Sequence, residues 1–175
     1  MQAAFYVELD DGDDRLEIPW ADPNDSANCF LDLKAAPARL DQISEARDTP
    51  PLRRFLAALN APDTLFATAK CDTWQTDEFS PEERAASPQA QTKYASYVDL
   101  FFSREEFNFH REHYDQLARR LLPLLTAAPA GACPDRIGAR AELCLRRCYF
   151  RARQAAPPTA GTWGFYLTVF LYGYG

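Results

Sequence analysis

The stretch Lys70-Cys71-Asp72-Thr73-Trp74 sets a cation, a carboxylate and an indole at alternate positions. In an extended strand alternate side chains share one face. Lys70, Asp72 and Trp74 therefore form a surface that holds a polar group by hydrogen bonds and an apolar one by stacking. Asp99, in the run Ser96-Tyr97-Val98-Asp99-Leu100-Phe101-Phe102, adds a second carboxylate if that run is the neighbouring strand. These four residues are the candidate ligand-binding set. The competing structural reading is an exposed sheet face with a Lys–Asp cross-strand pair and a half-covered tryptophan.

His110 is the second candidate. It falls on the apolar stripe Phe107, His110, Tyr114, Leu117, Leu121 and Leu124, with Glu106 one helical turn before it. A buried imidazole beside a carboxylate serves as a general acid or base, so His110 with Glu106, or with Asp72, would suit a small hydrolase-like enzyme. The plainer reading is a core or boundary histidine satisfied by backbone or hydroxyl partners. His113 falls on the polar side of the same helix. A single helix supplies too few ligands for a metal, and no second His-bearing motif accompanies it. The five cysteines, Cys29, Cys71, Cys133, Cys144 and Cys148, are odd in number and lack the spacing of a zinc site or a disulfide framework, which predicts reduced thiols and no metal. No glycine-rich phosphate loop, dinucleotide fingerprint or nucleophile elbow occurs, so no cofactor is expected.

Charge gives the third candidate. The net charge is −6, distributed as −8 over residues 1–50, −2 over 51–100 and +4 over 101–175. Asp10, Asp11, Asp13 and Asp14 form an acidic turn, and Arg146, Arg147, Arg151 and Arg153 gather near the other end. Such runs commonly face water; the functional alternative is an electrostatic docking surface for a basic protein. Of Arg146 and Arg147, one points to each face of a strand, and a buried one requires a carboxylate, for which Glu142, Asp72 and Asp99 are candidates. Overall acidity argues against nucleic acid. The beginning of the chain has no signal or transit composition, which points to the cytoplasm, and abundant Arg and Ala beside three lysines suggests a GC-rich bacterial gene.

The elements that must position these residues follow from periodicity. Two alternating runs flank Asp11-Gly12, predicting a hairpin, and Cys29–Lys34 is a third short strand. Leu52, Phe55, Leu56 and Leu59 mark a helix opened by Thr49 and two prolines and closed at Asn60. Residues 64–74 and 94–102 are strands, separated by a polar linker in which Ser80-Pro81-Glu82-Glu83 is a capping box. Ser103-Arg104-Glu105-Glu106 repeats that signature ahead of the long helix, placed at Glu105–Leu122 and kinked or ended by Pro123. APAGACP is then a loop. Residues 142–153 and 165–175 read as a hairpin with a long connection.

The closing LTVFLYGYG contains the letters of a potassium filter, but Phe170, Leu171 and Tyr172 interrupt them. Its apolar run, Phe165 to Tyr172, is far short of the ~20 residues of a spanning helix. Both of its faces are apolar or aromatic, which makes it an interior strand whose glycines mark a close approach of another backbone or side chain.

Together these readings predict one α+β domain over residues 1–175, a mostly antiparallel sheet of about five to seven strands with helices packed on one face. The function they favour is a non-enzymatic cytosolic binding protein, an acidic inhibitor of the immunity-protein kind that covers a basic partner. The alternatives are the His110 enzyme and a small-ligand pocket between the long helix and the sheet. Neither nucleic acid nor a membrane is an expected partner.

Overall fold

A strand with two apolar faces needs a neighbour on each side and a cover on each face. The computed structural model, which describes residues 1–9, 16–25, 28–128, 138–151 and 161–175, supplies both neighbours for residues 161–174 and a helical cover on one face. Six strands form one sheet: β1 (Gln2–Glu8), β2 (Leu16–Ile18), β3 (Phe66–Thr76), β4 (Lys93–Phe102), β5 (Gly138–Arg151) and β6 (Gly161–Tyr174). Their order is β1-β5-β6-β4-β3, with β2 also against β5, so β6 lies inside the sheet. The β3–β4, β4–β6 and β5–β6 pairs are antiparallel, whereas β1 and β2 run parallel to β5. The architecture is α+β. The tail glycine Gly175 meets other backbone as expected: its carbonyl accepts from the amides of Gln91 and Thr92 at 2.7 and 3.0 Å.

Register decides which side chains share a face. Val98, Val169, Leu143 and Phe5 stand in one row across the sheet, and Leu100, Leu167, Leu145 and Val7 in the next. Leu143, Leu145 and Leu167 are fully buried. On these rows pack α1 (Ser44–Asp48), α2 (Pro50–Leu59) and α4 (Arg111–Ala127), through Ala46, Leu52 and Leu56 at Val98 and through Tyr114 and Ala118 at Leu100, Leu143 and Leu167. Burying a leucine there is worth about 2 kcal/mol in transfer from water alone. The short helix α3 (Pro81–Ala86) opens with the complete capping box of Ser80 and Glu83.

Four expectations change. The runs flanking Asp11-Gly12 do not pair with each other: Glu8 pairs with Arg146 and Leu16 with Cys148, so β1 and β2 are two pieces of one edge strand travelling in the same direction, and Asp11 and Gly12 themselves lie outside the described residues. Residues 29–34 are not a strand. Cys29 makes an isolated bridge to Ala21, while Leu31 and Leu33 join the core beside α1 and α2. Lys34 is held there because its ammonium reaches the carbonyls of Ala61, Thr64 and Phe66 at 2.7–3.0 Å.

The long helix begins at Arg111 rather than Glu105. Asn108, 1 % exposed, sets its side-chain amide against β4, accepting from the Phe102 N–H at 2.8 Å and donating to the Phe102 carbonyl at 2.9 Å. This clamp holds Glu105–Phe109 as a 3-10 turn, and the Ser103 capping box does not close. Pro123 neither ends nor interrupts α4, which runs on to Ala127. It lies on the solvent side, and Arg119, four residues back, whose carbonyl loses its helical donor to the proline, is exposed as well. The predicted loop at residues 128–134 lies almost wholly outside the described residues.

Candidate functional site

The face of the sheet opposite α1, α2 and α4 carries a different set of side chains. One row is Asp72, Tyr97, Phe170 and Glu142; the rows beside it hold Trp74, Ala95, Tyr172 and Arg140, and Asp99, Thr168, Cys144 and Tyr6. Aromatic contacts follow this register. Trp74 meets Tyr97 edge-on at 6.4 Å between ring centroids, Tyr97 meets Phe170 at 5.8 Å, and Phe170 stacks on Tyr172 at 6.2 Å.

A bulge in β3 brings charge into this aromatic row. Thr68 pairs with Leu100 and Cys71 with Val98, so Ala69 and Lys70 together stand against the single residue Asp99. Such an insertion bends a strand and re-aims its side chains. Lys70 thereby lines a cleft of about 470 Å³ with Trp74, Tyr97, Asp99, Arg146 and Phe170. A larger cleft of about 690 Å³ adjoins it along the outer edge of β3, sharing Lys70 and Tyr97 and lined also by Asp22, Glu45 and Asp72. The candidate set Lys70, Asp72, Trp74 and Asp99 thus converges on two adjoining clefts, with Lys70 at their boundary.

Asp99 is the unusual member. It is 5 % exposed, and one carboxylate oxygen accepts from the Thr168 hydroxyl at 2.6 Å. Among the described residues no donor reaches the other oxygen, yet every fully enclosed side-chain polar atom has a partner. That second oxygen therefore opens into the cleft. Burial raises the carboxyl to about 6, against the opposing pull of Thr168, Arg146 and Lys70. The carboxylate field reaches its neighbours too: the Tyr97 hydroxyl is pushed up to about 12, first by burial and then by Asp99 and Asp72. Burial, followed by Glu45, Asp72 and Asp99, drives the Cys71 thiol up to about 12, which leaves it un-ionised and unreactive at neutral pH.

The two cations are placed differently. Arg146 is engaged by Glu8, its Nε and Nη2 donating at 3.0 and 2.8 Å, and its guanidinium lies 5.5 Å from the Phe170 ring centre. Its carboxylate partner is therefore Glu8 on the edge strand, not Glu142, Asp72 or Asp99. Partial burial opposes ionisation of Glu8, but the Cys144 thiol and Arg146 outweigh it and hold the carboxyl low. Lys70 makes no ion pair among the described residues; its ammonium sits 4.9 Å from the Trp20 ring centre.

The His110 site does not assemble. Because α4 starts at Arg111, His110 occupies the exposed position before its first turn, and Glu106 is exposed beside Arg104. His113, expected on the polar side, is half-buried against Phe107 at 4.8 Å between ring centres. No residue of α4 lines either cleft, so the pocket lies on the opposite face of the sheet from the long helix rather than between them. Asp10, Asp11, Asp13 and Asp14 lie outside the described residues. Among the described residues no three His, Cys, Asp or Glu side chains converge to hold a metal, Cys29, Cys71, Cys144 and Cys148 are free thiols, and no helix is long and apolar enough to cross a membrane.

Arg146, Tyr166 and Phe170 complete the smaller cleft but were not among the candidate residues. Alternation along the last strand sets Tyr166 and Phe170 on one face with Thr168; that this is the face of Asp99 is a matter of register, which spacing does not reveal. Compared with known families, characterised proteins and solved structures, the chain matches no family model, no characterised protein and no solved structure.

Proposed function

We propose that the chain is a cytosolic, non-enzymatic binding protein whose working surface is the helix-free face of the sheet, with the cleft at Lys70, Trp74, Tyr97 and Asp99 as its ligand pocket. One observation carries this reading: Asp99 is almost wholly buried, yet one of its oxygens faces the cleft with no donor. A buried carboxylate without a counter-ion works against folding, and ionisable groups held in that condition inside a cleft cluster at functional sites. The aromatic rings that line the cleft with it, Trp74 at 39 % accessible among them, are the usual walls of a recognition surface. The exposure of His110, away from the cleft, removes the support for acid–base catalysis.

The test is a thermal-shift screen of small polar and aromatic compounds against the wild type, Trp74→Ala and Asp99→Asn. Compounds that raise Tm in the wild type and lose that effect in both variants support the pocket. Compounds that stabilise all three proteins equally refute it.

A second reading, docking of a basic protein, is favoured by the larger cleft. Asp22, Glu45 and Asp72 line it, and none has a basic partner among the described residues. On this reading, replacing Asp10, Asp11, Asp13 and Asp14 by Asn slows association with the partner at low salt, and the effect fades as ionic strength rises because charges are screened beyond about 8 Å at 0.15 M salt.

A further inference from the structure

The smaller cleft also specifies the charge of what it would hold. It presents one carboxylate oxygen without a donor, on Asp99, and one ammonium without an ion pair, on Lys70. The two are not ion-paired with each other, and Arg146, the remaining charge in the cleft, is engaged by Glu8. A ligand carrying only positive charge would face Lys70 and Arg146. One carrying only negative charge would face Asp99, with Asp72 close by. An uncharged aromatic ligand would bury the second Asp99 oxygen with no donor, leaving a desolvated acceptor unsatisfied. A zwitterion satisfies both groups at once, and Trp74, Tyr97 and Phe170 supply walls for an apolar body. The volume, about 470 Å³, lies within the ~300–1,000 Å³ range of small-molecule pockets.

Resting on the binding reading above, we propose that the ligand is a small zwitterion of the α-amino-acid kind with an aromatic or bulky apolar side chain, its ammonium on Asp99 and its carboxylate on Lys70. Isothermal titration of the wild type with L-phenylalanine, phenethylamine and 3-phenylpropionate tests it, because these share the ring and differ in charge. L-phenylalanine is expected to bind at least tenfold more tightly than either singly charged probe. Asp99→Asn is expected to weaken L-phenylalanine and phenethylamine at least tenfold while sparing 3-phenylpropionate, and Lys70→Gln to weaken L-phenylalanine and 3-phenylpropionate at least tenfold while sparing phenethylamine. Thermal melts of both variants establish that they are folded. If phenethylamine alone binds as tightly as L-phenylalanine, or if Lys70→Gln leaves L-phenylalanine binding unchanged in a folded protein, the zwitterion assignment is overturned while the pocket stands. If none of the three binds but the screen finds Trp74- and Asp99-dependent ligands of other chemistry, the assignment again falls alone. If no ligand of any chemistry depends on those residues, the pocket falls with it.

Discussion

Substituting Asp99 by Asn should stabilise the protein at neutral pH and do nothing in acid. The carboxyl titrates at about 6 instead of an ordinary 3.8, with burial as the cause. At 1.36 kcal/mol per pH unit, the difference is about 3 kcal/mol against the folded state once the group is ionised. The sign follows from proton counting. Between pH 4 and pH 6 the folded chain binds more protons at this site than the unfolded chain, so its contribution to stability falls as pH rises through that window and then levels off. Asparagine keeps an oxygen for the Thr168 hydroxyl and carries no charge, but its amide N–H groups need acceptors, which costs about 1 kcal/mol. The net gain expected at pH 7.5 is about 2 kcal/mol, or roughly 4–8 °C in Tm for a chain of this size. At pH 4.5 the folded carboxyl is protonated while an unfolded one is largely ionised, so about 1 kcal/mol of the penalty remains and offsets the amide cost, and the two melting temperatures should agree. The assay is differential scanning calorimetry of both proteins from pH 4.5 to 7.5, read as the difference between them so that other carboxylates cancel. The groups facing Asp99 do not titrate in that range: Tyr97, Tyr166 and Cys148 are all driven upward, chiefly by burial, and Arg146 is held charged by Glu8 against its burial. Tm curves that run parallel across the whole range would refute the account of Asp99 as a buried, uncompensated charge.

Four further outcomes are expected. Trp74→Ala should cost less than about 1 kcal/mol by chemical denaturation, since the ring is 39 % exposed, yet abolish ligand-induced change in tryptophan fluorescence. His110→Ala should leave both Tm and ligand affinity unchanged within error, because the side chain is exposed and outside the clefts. Tyr114→Phe should cost about 1–2 kcal/mol in urea unfolding, because the buried hydroxyl lies 2.6 Å from Asn108 Oδ1 and 2.7 Å from the Phe165 carbonyl. Deleting Phe165 to Gly175 should leave an insoluble or unfolded chain by circular dichroism, because it removes most of a strand paired on both sides.

Local pattern carried much of this fold. Alternation in residues 165–174 identified an interior strand, and Ser80 with Glu83 identified a cap, because both signals are complete within one segment. What spacing could not carry was pairing between distant segments. Arg146 finds Glu8 across 138 residues, and Asn108 closes on Phe102 through its side chain, an arrangement that looks like the start of a helix until the strand is in place. The same holds for the site. Lys70, Asp72 and Trp74 share their face by alternation, and the clefts gather them as that alternation implies. The bulge that sets Lys70 against Asp99, and the arrival of Arg146, Tyr166 and Phe170 beside them, depend on register. His110 leaves the stripe because it precedes the helix in extended backbone, so the helical spacing that places Tyr114 does not reach back to it.

The division of the edge strand into β1 and β2 bears on how this protein could diversify. Seven residues separate Glu8 from Leu16 in the sequence, whereas Arg147 alone separates their partners Arg146 and Cys148 on β5. The strand pieces keep their register through Glu8 and Leu16 whatever the length of chain between them, and each doubling of such a segment costs only about 0.6 kcal/mol of closure entropy. Each piece of the edge is thus set by its own register against β5, so a lineage could change the number of residues between Glu8 and Leu16 and keep both pieces.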